Sequence, residues 1–357
     1  MPFEDLRQGR LDIVPNYFAV DMPFYRAHLQ ARLPDRIIDI HTHADRLKVW
    51  QAGEPRPQDW AERIGMGCFM PVNNLLASLR LLFPGKEVTP VVLAYGPRQD
   101  MDGPAEYLAQ ALQHYPHIYG FLNTRPDWPA GELECRFRKG RFSGLKPYLT
   151  LAPETVPAEQ VTILDFLPPA HLRLAEQRGW LIMLHLPRAE RLADPQNTAQ
   201  LKRIADDYPD LKVILAHIGR AYSPRIVEEG FAALGDAARF YWWDFSANSL
   251  QMAMELLIEA VGPQHILYGS DLPITAARMR RTCEGDNYVN LMREADWEDS
   301  HTRLAPEDER ENITFFIYEE IAAFLRAADA RGLTPSDLDD VFFNNAYRLL
   351  HGKEDQE

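Results

Sequence analysis

Short apolar runs recur along the chain at intervals of roughly 30 residues, the length of one βα unit. Several runs are continuously apolar, as expected of buried parallel strands. Segments with helical periodicity lie between them, for example at 104–114, 169–179 and 197–207. The pattern predicts eight strands, at 37–41, 89–95, 118–123, 142–146, 180–186, 212–217, 240–246 and 265–270.

This alternation predicts an α/β fold, specifically a (β/α)8 TIM barrel. A doubly wound open sheet would give the same alternation, but its nucleotide fingerprint Gly-x-Gly-x-x-Gly does not follow the first strand. Residues 1–35 are expected to form an N-terminal helical extension, with a helix near 20–33. Residues 36–357 are expected to form the barrel with closing C-terminal helices, where Gly332 ends one helix and Thr334 begins the next.

Two connections are much longer than the others, at 47–88 after strand one and at 272–311 after strand eight. Part of the first, around Leu75 to Arg80, has a helical pattern. The second is charged and irregular, and Gly285 suits a surface segment that can move. We therefore predict that 272–311 is a lid over the active-site mouth; the alternative is a contact between copies in a homo-oligomer.

Composition and charge narrow the function. The 357 residues are 46% hydrophobic and 25% charged, as in a globular protein, and the net charge of −14 argues against nucleic acid as a partner. The apolar runs are too short to span a membrane and the N-terminus lacks a signal-peptide pattern, so a cytoplasmic location without membrane contact is expected. Three scattered cysteines fit a reducing compartment and contain no Cys-x-x-Cys motif.

Ionisable residues follow four of the predicted strands. His41 and His43 end strand one, and residues i and i+2 of a strand face the same side. His185 and His217 lie at the ends of strands five and six, and Asp271 comes directly after strand eight. Alone, the His-x-His pair could be two structural histidines. Because active sites of these barrels lie at the carboxyl ends of the strands, the full set predicts a metal site there.

The motifs resemble those of the amidohydrolase superfamily, in its amidohydrolase-related (amidohydrolase 2) branch. They are Asp39-Ile40-His41-Thr42-His43, Leu184-His185, Ala216-His217-Ile218-Gly219, Gly269-Ser270-Asp271 and Asn344-Asn345-Ala346-Tyr347-Arg348-Leu349-Leu350. The resemblance implies a metal-dependent barrel enzyme, a hydrolase, lactonase, hydratase or non-oxidative decarboxylase. It also implies that His41, His43, His185 and Asp271 are metal ligands, and that His217 contacts the substrate or the metal-bound water.

The donor chemistry agrees with that implication. Three neutral imidazoles and one carboxylate leave a divalent ion, expected to be a single zinc, with positive charge and an open position. Such an ion lowers the pKa of bound water to ~7. Asp271 could then act as general base, and His217 could stabilise an oxyanion. The catalytic candidates are therefore Asp271 and His217.

Cationic side chains near the same strand ends predict a small anionic substrate. The substrate-binding candidates are Lys146, Tyr148, Arg46, Arg188 and Arg220, although each arginine could equally form a salt bridge within its loop. Lys146 could instead be a carbamylated metal bridge or a lysine paired with a carboxylate.

The sequence predicts a metal-dependent hydrolase of a C–O or C–N bond as the first function. A non-oxidative decarboxylase or other lyase acting on a small carboxylic acid is the second. A non-catalytic binding protein of the same fold is the third, and retention of all the expected ligands argues against it. The substrate, the native metal and the oligomeric state stay open.

Overall fold

The computed structural model describes residues 16–45, 70–94, 101–295 and 297–352. Eight parallel strands pair in chain order around a barrel, and a helix follows each strand. The strands are β1 (Arg36–Ala44), β2 (Glu87–Ala94), β3 (Tyr119–Thr124), β4 (Gly144–Pro147), β5 (Leu181–Leu184), β6 (Lys212–Leu215), β7 (Trp242–Asp244) and β8 (Ile266–Leu267). The predicted (β/α)8 barrel is confirmed.

Eight helices surround the barrel, and four of them lie at the helical segments predicted at 75–80, 104–114, 169–179 and 197–207. The eight helices are α1 (Val72–Leu82), α2 (Asp102–His114), α3 (Ala130–Gly140), α4 (Pro169–Arg178), α5 (Pro195–Asp207), α6 (Pro224–Leu234), α7 (Gln251–Val261) and α8 (Phe316–Ala330). Helical segments Pro335–Asp339, Asp340–Asn344 and Asn345–His351 follow. The first of these has the expected start, because Thr334 and Asp337 form a reciprocal capping box.

The seam between the first and last strands closes the barrel beside the predicted site. Strand β8 is short, but the chain beyond it continues along β1. The Ile40 N–H donates to the Tyr268 carbonyl (3.0 Å), and the His43 N–H donates to the Leu272 carbonyl (2.7 Å). The residues that follow β8 are thereby held against the end of β1.

Side chains alternate between two apolar layers. On β5, Leu181 and Met183 lie in the cluster inside the barrel, whereas Ile182 and Leu184 lie in the larger cluster between strands and helices. This alternation follows from the strand period of two. It also means that the next residue, His185, is directed to the inside.

The long connection after β8 differs from the prediction, because it is folded and not irregular. Within 272–311 the structure contains a three-stranded sheet of β9 (Met279–Glu284), β10 (Asn287–Met292) and β11 (Thr302–Leu304), followed by a helical turn at Glu307–Arg310. Gly285, with φ of 59°, begins the two-residue turn of the β9–β10 hairpin. A Gly-Asp step between two pairing strands was the signal for this hairpin.

An N-terminal helical run packs against the barrel and against this sheet. It consists of Tyr17–Asp21, Met22–Phe24 and Tyr25–Leu29. The Tyr17 hydroxyl donates to the Leu81 carbonyl (2.7 Å), and the buried Asp21 pairs with Arg278, which directly precedes β9. In the described part of the chain, no helix is long and apolar enough to cross a membrane.

Candidate metal centre

A bulge at the end of β1 directs the two histidines of the His-x-His motif into the barrel. Ile38 and Ile40 face the interior cluster, so strict alternation would send His41 and His43 outward. The register with β2 shifts between Asp39 and Thr42, which places one extra residue in β1. A bulge of this kind reverses the side-chain alternation beyond it, and both histidines therefore face the site.

Asp271 is fixed by the barrel seam. Its N–H donates to the His41 carbonyl (2.7 Å), and its φ of 58° is left-handed, which is uncommon for a residue with a side chain. Its Oδ1 lies 3.1 Å from His43 Nε2 and 3.6 Å from His41 Nε2. Gly269 makes the close approach possible, since a Cβ there would lie 2.8 Å from the Cβ of His41.

The segment after β6 forms a left-handed turn, with φ of 58° at His217, 54° at Ile218, 62° at Gly219 and 60° at Arg220. Ile214 and Ala216 face the barrel interior, so an extended His217 would point outward. The left-handed backbone turns its ring inward instead. Its Nε2 then lies 3.0 Å from Nε2 of His185.

Asp244, at the end of β7, supports two of these histidines and was missed from the sequence. It is fully buried, and its Oδ2 accepts a hydrogen bond from Nδ1 of His41 (3.0 Å). Its Oδ1 accepts from the backbone N–H groups of His217 (2.9 Å) and Ser246 (3.1 Å). The signal was an aspartate ending an apolar strand run, Trp242-Trp243-Asp244, in line with the other strand-end residues.

The hydrogen bonds of His41 and His217 determine which ring nitrogen of each carries the proton. His41 donates through Nδ1 to Asp244, and His217 donates through Nδ1 to the Ser246 carbonyl (3.0 Å). In a neutral imidazole the other nitrogen then carries a lone pair. Both Nε2 atoms are therefore ready to bind a cation, because metal-bound histidines commonly donate from the other ring nitrogen to a carboxylate or a carbonyl in this way.

Burial keeps His41, His185 and His217 neutral. It lowers the pKa of His41 to about 3 and lowers the pKa of His217. Burial, with the charges of Lys146 and other nearby groups including Arg220, holds the pKa of His185 well below its ordinary value. Burial alone would raise the pKa of Asp271, but the hydrogen bond from His43 and the neighbouring histidines lower it to about 2. Neutral imidazoles and an ionised carboxylate are the forms that bind metals.

The donor set fits a divalent metal ion. His41, His185 and His217 form one group of donor atoms within 4.8 Å of one another, and His41, His43 and Asp271 form a second. His41 Nε2 is buried without a hydrogen-bond partner among the described residues. Nε2 of His185 and Nε2 of His217 lie 3.0 Å apart, a separation that suits a proton or a cation between the two nitrogens. The structure thus groups His217 with two of the four expected ligands, His41 and His185.

The predicted substrate-binding residues have different surroundings in the structure. Lys146 is fully buried with Nζ 3.4 Å from His185 Nε2 and 5.5 Å from the centre of the Tyr148 ring; burial lowers its pKa to about 7. Arg220 also lies near the centre, where Nη1 donates to the Leu186 carbonyl (2.9 Å). Arg188 pairs with Asp194 (2.9 Å). Arg46 lies outside the described residues.

Comparisons with known proteins agree with the fold. The curated 6-methylsalicylic acid decarboxylase of Penicillium expansum is 34% identical over 83 residues, which span 20% of this chain and 26% of that protein. An amidohydrolase from Burkholderia multivorans with bound zinc has a TM-score of 0.56 at 14% identity, covering 88% of this chain and 98% of that one. A probable 2-pyrone-4,6-dicarboxylic acid hydrolase from Acinetobacter baumannii, with citric acid bound, has a TM-score of 0.53 at 17% identity and the same coverage.

At these identities the structural likenesses establish the barrel fold alone. The family assignment rests on the sequence profile of the Amidohydrolase family (Amidohydro_2), which matches residues 38–352. Since that match spans most of the chain and the donor set is that of a metal centre, the protein belongs to the amidohydrolase family of metal-dependent enzymes.

Proposed function

We propose that the protein is a metal-dependent hydrolase that cleaves a C–O or C–N bond in a small anionic substrate. The observation that carries the proposal is the convergence of five donor side chains from the ends of four barrel strands. Among these five, Asp271 is the single carboxylate, and its Oδ1 lies within 3.6 Å of Nε2 of both β1 histidines. Of the relatives named above, one is named as a hydrolase and one as a decarboxylase, so they leave the reaction open.

We propose that His41, His43, His185 and Asp271 would hold one divalent ion, expected to be zinc. When bound, such an ion polarises the substrate and lowers the pKa of water towards ~7. Asp244 supports this role, because its hydrogen bond to Nδ1 of His41 keeps the Nε2 lone pair available.

Asp271 would act as the general base. Its carboxylate is ionised and reaches the histidine group through Oδ1, so it can take a proton from the attacking water and pass it to the leaving group. His217 would accept rather than donate at Nε2, because its Nδ1 proton is committed to the Ser246 carbonyl. It therefore suits orienting a water molecule or binding the metal ion as a further ligand. Stabilising an oxyanion would require a proton on Nε2 as well, that is, the charged imidazolium ring.

Lys146 and Tyr148 would hold the substrate on the β4 side. The Lys146 side chain is buried, and its ammonium faces His185 from that side. The Tyr148 ring also contacts His185 edge-on, with ring centres 6.0 Å apart. A cation and an aromatic wall together suit a planar anionic substrate.

The test is turnover by metal-loaded protein against lactones, amides and aromatic or enol carboxylic acids in ¹⁸O-water. Hydrolysis should place the label in the product. Asp271→Asn, which keeps the shape but cannot accept the proton, should lose at least 10²-fold in kcat. Asp236→Asn, at an exposed position, is the matched control. A metal-loaded Asp271→Asn variant with normal turnover would exclude the general-base role.

A non-oxidative decarboxylase is the second candidate. It is favoured by the local 34% identity to 6-methylsalicylic acid decarboxylase and by the buried ammonium of Lys146, which could hold the departing carboxylate. Release of carbon dioxide from an aromatic acid without incorporation of solvent oxygen would select this reaction over hydrolysis.

A further inference from the structure

A second cluster of charged and aromatic side chains borders the metal centre. Arg191 lies with its guanidinium carbon 4.8 Å from the centre of the Tyr222 ring and 5.3 Å from that of Tyr288. Its Nη1 also donates to the Arg220 carbonyl (3.4 Å). The two tyrosine rings pack edge to face, 5.4 Å apart. Residues from the loops after β5 and β6 and from β10 thus meet at one place.

The position of Arg220 connects this cluster to the metal centre. Arg220 ends the left-handed turn that starts at His217, and it donates to the carbonyl of Leu186, which directly follows His185. A ligand bound at Arg220 would therefore lie near His185 and His217.

Arg191 and Arg220 lack a carboxylate partner in the described part of the chain. Both side chains are half-buried, and neither forms an ion pair there. Nearby arginines differ: Arg188 pairs with Asp194 at 2.9 Å, and Arg225 pairs with Glu190 at 2.6 Å. Two adjacent, half-buried cations repel one another, and an anion between them would remove that repulsion.

We propose that Arg191 and Arg220, with Tyr222 and Tyr288, form a carboxylate-binding subsite beside the metal centre. This inference rests on the proposed function and extends it, since it assigns the substrate a carboxylate in addition to the group that reacts. Guanidinium forks match the planar oxygens of a carboxylate, and a phenol can add a further hydrogen bond. The spacing between the subsite and the metal centre would then select substrates with two separated polar ends.

Arg281, on β9, is a positioning residue for this subsite. Its guanidinium carbon lies 4.1 Å from the centre of the Tyr222 ring and 5.2 Å from that of Tyr288, and its Nε donates to Asn290 Oδ1 (2.9 Å). Its Nη1 also donates to the Ala247 carbonyl, in the loop after β7. The β9–β11 sheet therefore contributes a fixed wall of the subsite.

The experiment compares the binding of benzoate with that of benzene-1,3-dicarboxylate to metal-loaded protein by calorimetry. The wild type should bind the diacid at least 10-fold more tightly than the monoacid. Arg191→Gln and Arg220→Gln should each reduce diacid affinity by roughly 10- to 100-fold and leave benzoate binding nearly unchanged. Arg225→Gln, which removes a neighbouring arginine that has its own carboxylates, should keep the diacid preference.

Thermal unfolding and metal content verify that each variant is folded and loaded. If Arg220→Gln fails to fold, Arg191→Gln and Arg220→Lys carry the test, since lysine keeps the charge without the fork. Equal affinity of the wild type for both acids, or a diacid preference that survives in Arg191→Gln, would overturn the proposal. If 3-phosphonobenzoate binds more tightly than benzene-1,3-dicarboxylate, the subsite recognises a phosphoryl group, and the assignment of a carboxylate ligand is overturned.

Binding and turnover separate this inference from the proposed function. If the arginine-dependent diacid preference is found but no hydrolysis occurs, the subsite stands and the proposed reaction fails. If hydrolysis occurs with monoacids and the arginines have no effect on binding, the subsite fails and the reaction stands.

Discussion

Asp244→Asn should weaken metal binding without unfolding the barrel. The carboxylate accepts four hydrogen bonds: one from Nδ1 of His41, two from the N–H groups of His217 and Ser246, and one from the Ser246 hydroxyl. Asparagine can keep its carbonyl oxygen on the two backbone donors, which leaves its NH₂ group facing His41. Two donors cannot share a hydrogen bond, so His41 would have to move its proton from Nδ1 to Nε2. A protonated Nε2 has no lone pair for the metal.

The expected loss is roughly 10- to 100-fold in metal affinity, the range found for outer partners of metal-bound histidines. That range corresponds to about 1.4 to 2.7 kcal/mol. Zinc affinity is measured by competition with a chromogenic chelator, and urea unfolding of the metal-free protein reports on the fold. Asp194→Asn is the matched control, because Asp194 also accepts two backbone N–H bonds, from Gln196 and Asn197, but contacts none of the proposed ligands.

Two results would refute this reasoning. One is wild-type zinc affinity in a folded Asp244→Asn variant. The other is an equal loss of affinity in Asp194→Asn, which would show a general effect of removing a capping charge and not a change of tautomer at His41.

Three further predictions follow from packing, burial and the β9–β11 sheet. Gly269→Ala should cost about 1–3 kcal/mol in urea unfolding and also weaken zinc binding, because its Cβ would press on His41; an unchanged unfolding midpoint would contradict the contact. Burial raises the pKa of Glu320 well above its ordinary 4.5, so the folded protein keeps a proton that the unfolded chain releases, and stability falls as pH rises above that value. Glu320→Gln should therefore become more stable relative to wild type by up to about 1.4 kcal/mol per pH unit above 4.5, and parallel profiles would exclude a retained proton. Replacing 280–305 with a Gly-Ser turn should preserve zinc content but reduce kcat/KM; full activity with an altered oligomeric state would favour the interface interpretation.

The barrel could be predicted because its strands are apolar runs at regular spacing, and each was found within a few residues of its predicted position. The sheet of β9–β11 could not be predicted from the same signal. Polar residues of this sheet and of the segment just before it are buried through specific partners, such as Arg281 with Asn290 and Arg278 with Asp21. A polar residue buried by pairing looks like a loop residue in the sequence, because its partner is distant along the chain.

The site was predictable to the extent that it follows strand alternation. His185 continues the inward positions of β5, and Asp271 continues those of β8, where Leu267 faces the interior. His41 and His43 were expected to share a face of the strand, and the structure shows that they do. That face points into the barrel only because of the bulge in β1. The bulge depends on pairing with β2, and no residue of β1 alone indicates it.

His217 is the clearest departure from alternation, and it connects the backbone to the chemistry. An extended strand would bury its ring among the helices, yet the left-handed turn brings it to the centre. Each left-handed residue with a side chain costs on the order of 1 kcal/mol, so surrounding contacts must hold the turn in place. The His217 N–H supplies one such contact to Asp244, the same carboxylate that orients His41. One buried charge on β7 therefore both holds the strained turn after β6 and keeps the His41 proton on Nδ1, so that Nε2 of His41 stays available to a metal ion.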